Sequence, residues 1–250
     1  MIRTLAVGLT AVLVAVACGG TPDASGPRRE LLVSAAASLT RAFQEMETEF
    51  ERTAPEIDVV LNLAGSSLLR EQILSGAPVG VFASANPAIM QQVADAGYLD
   101  GPYRVFALNR MTIAVPAGNP AGIRGLDDLA DGDLVVGLCI AAVPCGDFAH
   151  QVLANGGVHP VPDTEEPNVR ALLTKVEAAE LDVALVYETD ITATGGADGI
   201  PIPDRYNVTA EYPIAVVRGS SDPPSADAFV SFVLSAEGRR ILDRHGFSLP

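Results

Sequence analysis

The residues best placed to do chemistry in this chain carry no charge. Four short segments rich in small or hydroxyl-bearing residues, Ala35-Ala36-Ala37-Ser38, Gly65-Ser66-Ser67, Val143-Pro144-Cys145-Gly146 and Asn168-Val169, each stand between an apolar strand-like run and a helical pattern. At such a junction the first N–H groups of the helix have no carbonyl of their own helix to bond, and the helix dipole adds partial positive charge. Gathered at one crevice, the four would hold an anion without any Arg or Lys, and ligands of open α/β sheets collect at strand ends of this kind. Taken singly, a Ser before a helix is an ordinary cap. Nucleophilic catalysis is the remote alternative: a secreted α/β hydrolase would use Ser38 or Ser66, yet neither lies in G-x-S-x-G and no His is placed suggestively with them. His150, His159 and His245 form no ligand-spaced cluster with the cysteines, so no bare cation site is expected.

The elements that must position these segments alternate along the chain, which points to an α/β fold with largely parallel sheets. Leu31–Ser34 reads as a strand, followed by a helix whose apolar face carries Leu39, Phe43, Met46 and Phe50 at helical spacing. Further strands are expected at Ile57–Leu63 and Val79–Ser84, with a helix over Leu68–Leu74 between them. Asn86-Pro87 opens another helix as cap and first-turn proline, and Gly97 closes it. The run Arg104–Pro116 is long for one strand and is expected to carry the chain into a second lobe, with a hinge near Leu108. Leu134–Cys139 and Asp182–Val186 read as strands there, with helices after Gly146 and Asn168. Tyr212–Val217 reads as a returning strand, and helices over Ala226–Leu234 and Ala236–His245 close the fold.

Composition narrows the class. The chain has 250 residues, 48% hydrophobic and 19% charged, enough for two modest lobes and too apolar for disorder. Its formal net charge of −15 and single lysine, Lys175, exclude nucleic acid and electrostatic docking on anionic lipid. Residues 1–18 read as an export signal: Arg3, an apolar run Leu5–Val16, then Ala17-Cys18-Gly19-Gly20, in which Cys18 is the candidate lipidation site of a lipoprotein. Residues 19–29 then serve as a flexible tether. An incidental Cys18 behind an ordinary signal peptide is the bland alternative. Cys139 and Cys145 remain, an even pair for an oxidising compartment, to be joined as a disulfide or buried as separate thiols; spacing alone does not decide.

In order and spacing, Ala35-Ala36-Ala37-Ser38-Leu39-Thr40, Ala64-Gly65-Ser66-Ser67, Ser75-Gly76-Ala77-Pro78, Val143-Pro144-Cys145-Gly146, Asn168-Val169-Arg170 and Val186-Tyr187 together resemble the periplasmic molybdate-binding proteins of ABC transporters. The resemblance runs from about Leu31 to the end and takes in Tyr212-Pro213-Ile214-Ala215-Val216-Val217 and His245-Gly246-Phe247. It implies a two-lobed type II periplasmic binding protein, each lobe a mostly parallel sheet flanked by helices, with the ligand cleft between. Lobe I would comprise residues 30–108 plus 192–250, and lobe II residues 109–191. The family's ligand-binding serines fall on Ser38 and Ser66. Cys145 and Val169 would offer backbone N–H groups, and Tyr187 its phenolic O–H, so that molybdate or tungstate would be held through these five residues. Three positions depart from the family pattern: Gly80 and Asn86 stand where many relatives carry acidic residues, which puts the hydrogen bonding between lobes in question, and Cys145 stands where relatives usually carry Ala.

The resemblance implies no cofactor, a small oxyanion ligand, an ABC importer permease and through it an ATPase as partners, and a monomer touching the membrane only through its lipid anchor on the outer face of the cytoplasmic membrane. A pocket made only of donors disfavours phosphate, whose own proton would lack an acceptor. Sulfate, molybdate and tungstate are all deprotonated dianions, so a binding protein for sulfate or another small oxyanion is the nearest alternative. A lipid-tethered adhesion or sensory module, with no anion affinity, is a third.

Overall fold

The computed structural model describes residues 28–250. The export signal, Cys18 and residues 19–27 of the tether lie outside the described residues. Strand β1, Arg29–Ala36, begins at the end of the stretch read as tether, and Arg28 before it ion-pairs with Glu51 and Asp58. From Leu31 onward β1 is buried on both faces, as its apolar run requires of a central strand. It pairs in parallel with β2, Ile57–Ala64, and with β3, Val81–Ala83.

A 3-10 turn, Ala37–Leu39, leads from β1 into helix α1, Thr40–Thr53, which buries Phe43, Met46 and Phe50 along one face. Phe43 meets Phe106 and Phe229 at ring-centroid distances of 6.0 and 6.1 Å, and Phe50 meets Phe229 at 5.2 Å. Burying each such ring is worth about 1.5–3 kcal/mol, which fixes α1 and therefore the turn at its start. Helix α2, Ser66–Leu74, starts two residues ahead of the expected Leu68 because its N-terminal turn is made by the two serines themselves. Helix α3, Pro87–Asp95, has the expected cap: Asn86 Oδ1 accepts from Ile89 N–H at 3.0 Å.

Strand β4, Arg104–Pro116, joins the two halves of the molecule. Its first half, to Arg110, pairs antiparallel with β9, Thr209–Val216, and its second half, from Met111, with β7, Val183–Tyr187. Beyond β7 lie β5, Val136–Cys139, and β6, Thr164–Glu166, all three parallel. The full order is β2-β1-β3-β9-β4-β7-β5-β6. Strand β8, Ala197–Pro201, lies off this path along Thr112–Pro116 of β4, so residues 197–201 share the half of the sheet built by β5–β7. The expectation of largely parallel sheets is corrected to a mixed one: β4, β8 and β9 run antiparallel to their neighbours, because the chain crosses the middle of the sheet and returns.

Helices α4, Pro144–Gly156, and α5, Val169–Glu177, flank the second half, followed by a single-turn α6, Glu188–Thr192. Helices α7, Pro223–Leu234, and α8, Ala236–Arg244, pack back on α1. Gly80 has a steric reason, since a Cβ there would meet Leu31 Cδ1 at 2.6 Å. No helix among the described residues is long and apolar enough to cross a membrane.

Candidate functional site

The 3-10 turn and the N-termini of α2, α4 and α5 converge on one small cavity of ≈ 20 Å³. Its walls include all five residues expected to bind an anion, Ser38, Ser66, Cys145, Val169 and Tyr187, together with Asn168. Ser66 and Val169 are the first residues of α2 and α5, Cys145 the second of α4, and Ser38 the second of the 3-10 turn. In each the main-chain N–H precedes the first intrahelical hydrogen bond and is left to point out of the helix end. Three α-helix dipoles add their positive ends, from both halves of the sheet.

The side chains are arranged so that hydroxyl protons are spare while hydroxyl lone pairs are taken. Ser66 Oγ accepts from Ala85 N–H at 3.1 Å. Ser38 Oγ is 2.9 Å from Tyr212 Oη, and Asn109 Nδ2 donates to Tyr212 Oη at 3.4 Å. The ordering Asn109 to Tyr212 to Ser38 satisfies each group as donor to the next and leaves the Ser38 proton for a ligand. Tyr187 is 1% exposed, and its Oη is the one buried side-chain polar atom among the described residues without a hydrogen-bond partner. An unpaired buried hydroxyl costs about 1–3 kcal/mol, so such an atom in a cavity wall calls for a ligand acceptor. Burial pushes the Tyr187 phenol well above its ordinary range, and Tyr212 likewise, so both keep their protons and remain donors. Edge-on packing against Phe148 and Tyr212, at 6.4 and 6.0 Å between ring centroids, holds Tyr187 in place.

Among the described residues, no carboxylate and no cationic side chain lines this cavity. Its size is of the order of a small ion, since a single water needs about 10–15 Å³ and an organic ligand of drug size several hundred. The set can therefore do one thing chemically: donate hydrogen bonds to a small, fully deprotonated anion. The two serines have an amide N–H and a tyrosine as partners, not an imidazole.

Cys139, at the end of β5, and Cys145 are bonded, with Cα atoms 5.8 Å apart. The bridge ties the donor turn of α4 to the sheet. Two hydrogen bonds cross between the halves at the cavity rim: Ser67 Oγ donates to Ala142 O at 2.7 Å, and Asn86 Nδ2 to Asp147 Oδ2 at 3.1 Å. Asn86 thus caps α3 with its oxygen and bridges with its nitrogen. Gly65 permits the approach, because a Cβ there would sit 2.8 Å from Pro167 O. Sequence reasoning missed the parts played by Tyr212, Asn109 and Ala85. Asn168 carried a signal, standing as a cap before an apolar helical face, and its Oδ1 accepts from Ala171 N–H at 3.0 Å. The link from Tyr212 to Ser38 spans 174 residues and left no local trace.

The chain is 40% identical to the molybdate-binding protein ModA of Mycobacterium tuberculosis over 256 aligned residues, 98% of each chain. Among solved structures it resembles the periplasmic molybdate-binding protein of Azotobacter vinelandii, at 19% identity and a TM-score of 0.76 over 88% of this chain and 99% of that one. It also resembles the sulfate-binding protein SubI of Mycobacterium tuberculosis H37Rv, at 18% identity and a TM-score of 0.80 over 89% and 87%. Identities this low speak for the fold alone. Residues 31–248 match the family described as bacterial extracellular solute-binding protein, and the chain belongs to that family.

Proposed function

We propose that this protein captures molybdate, and tungstate with it, outside the cytoplasm and delivers it to an ABC importer. The observation that carries the reading is the convergence of four helix-end N–H groups and three hydroxyls, one of them the unpartnered Tyr187 Oη, on a carboxylate-free cavity of ≈ 20 Å³. Charge-assisted hydrogen bonds are roughly twice as strong as neutral ones, so such an array holds a dianion without a cation. The likeness to molybdate-binding ModA along 98% of the chain favours molybdate over sulfate, since donors alone do not separate two tetrahedral dianions. The relatives are solute-binding proteins, and a binding role rather than catalysis is the reading adopted.

The two halves of the sheet are read as two lobes that meet around the anion. The division falls within β4 near Leu108, and the pairing of β8 with Thr112–Pro116 favours a return crossing after residue 201. Donors come from both halves, so the anion stabilises the closed arrangement, and the importer would recognise that form. Acylation at Cys18 would anchor the protein on the outer face of the cytoplasmic membrane as a monomer, and no cofactor is required.

Calorimetric titration of the chain from residue 19 onward with molybdate, tungstate, sulfate and phosphate tests the ligand. One-to-one binding of molybdate and tungstate, tighter than sulfate and with phosphate weakest, is expected. Tightest binding of sulfate would replace the ligand, and no heat with any of the four would remove the proposal.

A further inference from the structure

Beside the cavity lies a wider groove of ≈ 430 Å³ that shares Ala37 and Ser38 with it. Its walls come from both halves, with α1 and the C-terminal segment on one side and the start of α5 with α6 on the other. Four basic side chains, Arg41, Arg170, Arg244 and His245, line it, in a chain whose formal net charge is −15. Arg244 and His245 are both engaged by Glu45, His245 Nε2 at 2.8 Å. Arg41 and Arg170 are exposed, and neither guanidinium makes an ion pair or hydrogen bond among the described residues. Among the described residues the one carboxylate in the walls is Asp190, which is buried, accepts from Tyr187 N–H at 3.0 Å through Oδ2, and feels the charge of Arg170, which favours its ionised form without a direct ion pair.

A net-negative molecule repels the dianion it must collect. At physiological salt, however, a charge is felt only over about 8 Å, so the potential at the mouth is set by the groups that line it. Two unpaired guanidinium groups in one concavity, one on each half, make that local potential positive, and concave walls concentrate it. Both stay outside the donor cavity, so they act on encounter more than on the bound state.

We propose that the groove is a capture site for the oxyanion, in which Arg41 and Arg170 draw the dianion from solution and hand it past Ser38 into the donor cavity. The inference rests on the anion-binding reading above and adds a role for residues outside that cavity. The measurement is stopped-flow binding of molybdate followed by intrinsic tyrosine fluorescence, since the chain has no Trp and Tyr187 and Tyr212 stand at the site. The wild type is compared with the Arg41→Gln/Arg170→Gln double variant at low and high salt. Both positions are exposed, and a thermal melt checks that the variant folds.

The expected result is an association rate constant about 3- to 10-fold lower in the double variant at low salt, an unchanged dissociation rate constant, and a gap that closes at high salt. Equal association rates at low salt would overturn the capture site, as would a loss that persists undiminished at high salt. Failure of the wild type itself to bind molybdate would remove the proposed function and the capture step with it; binding by the wild type with rates indifferent to the two arginines would remove the capture step alone.

Discussion

At the residue scale the site is defined by which lone pairs and protons are already spoken for. Tyr187 Oη has no hydrogen-bond partner among the described residues, so Tyr187→Phe is expected to leave the ligand-free melting temperature unchanged or raised. It should weaken anion binding by about 1–3 kcal/mol, read by calorimetry. Loss of ligand-free stability without loss of affinity would make Tyr187 a packing residue only. Ser66→Ala should behave differently: it removes a ligand donor and also strips Ala85 N–H of its acceptor, so affinity and stability should each fall by about 1–3 kcal/mol.

Asp190 gives a pH signature. Burial raises its carboxyl from 3.8 to about 7. The folded state therefore holds a proton that the unfolded chain releases near pH 4, and Asp190's own contribution to stability should decline from about pH 4 to pH 7, by at most about 4 kcal/mol, and level off above, against the opposite trend of Glu45, Glu166 and Asp222, whose carboxyls hydrogen bonds hold below their ordinary range. Asp190→Asn keeps an acceptor for Tyr187 N–H and should abolish that slope in chemical denaturation; an unaltered slope would show that Asp190 is ionised in the fold. Ser38, Ser66, Cys145 and Val169 stand in the junction segments read from the sequence, whereas Tyr187 entered only through the family resemblance; the fold brings all five to one cavity. Tyr212 and Asn109 were not legible, since their roles depend on strands that meet only after the chain has crossed the sheet twice.

At the scale of elements, the strands and helices with strong periodicity or caps were legible: α1 from its Phe43, Met46 and Phe50 face, with Leu39 falling in the 3-10 turn before it, α3 from Asn86-Pro87, and β4 from its length. Strands β6 and β8 were not, because Thr-Glu-Glu and Ala-Asp-Gly-Ile-Pro have no apolar alternation and exist only through pairing with β5 and β4. The cysteine pair was legible as a pair, but its bonding is a matter of the 5.8 Å Cα separation, which spacing does not contain. With a sequence separation of 6, the bridge should contribute about 2 kcal/mol by restricting the unfolded chain. Reduction should lower the melting temperature accordingly and, by loosening the first turn of α4, weaken anion binding. The rim bond from Ser67 to Ala142 offers a cleaner probe of closure. Ser67→Ala touches no ligand donor and should cost about 0.5–1.5 kcal/mol of affinity, seen as faster dissociation with association unchanged; a change in association alone would separate this bond from closure.

At the scale of the whole molecule, one mixed sheet carries two sets of helix ends that face each other across β4 and β9. An anion that bonds to both sets shifts the population toward the closed arrangement by the difference in its affinity for the two forms. The central claim is that a single dianion occupies the cavity between them, and it is tested most directly by anomalous diffraction at the molybdenum edge from crystals grown with molybdate. The expected result is one strong peak within hydrogen-bonding reach of Ser38, Ser66, the N–H groups of Cys145 and Val169, and Tyr187 Oη. A peak outside that cavity, or an empty cavity in crystals saturated with molybdate, would contradict it.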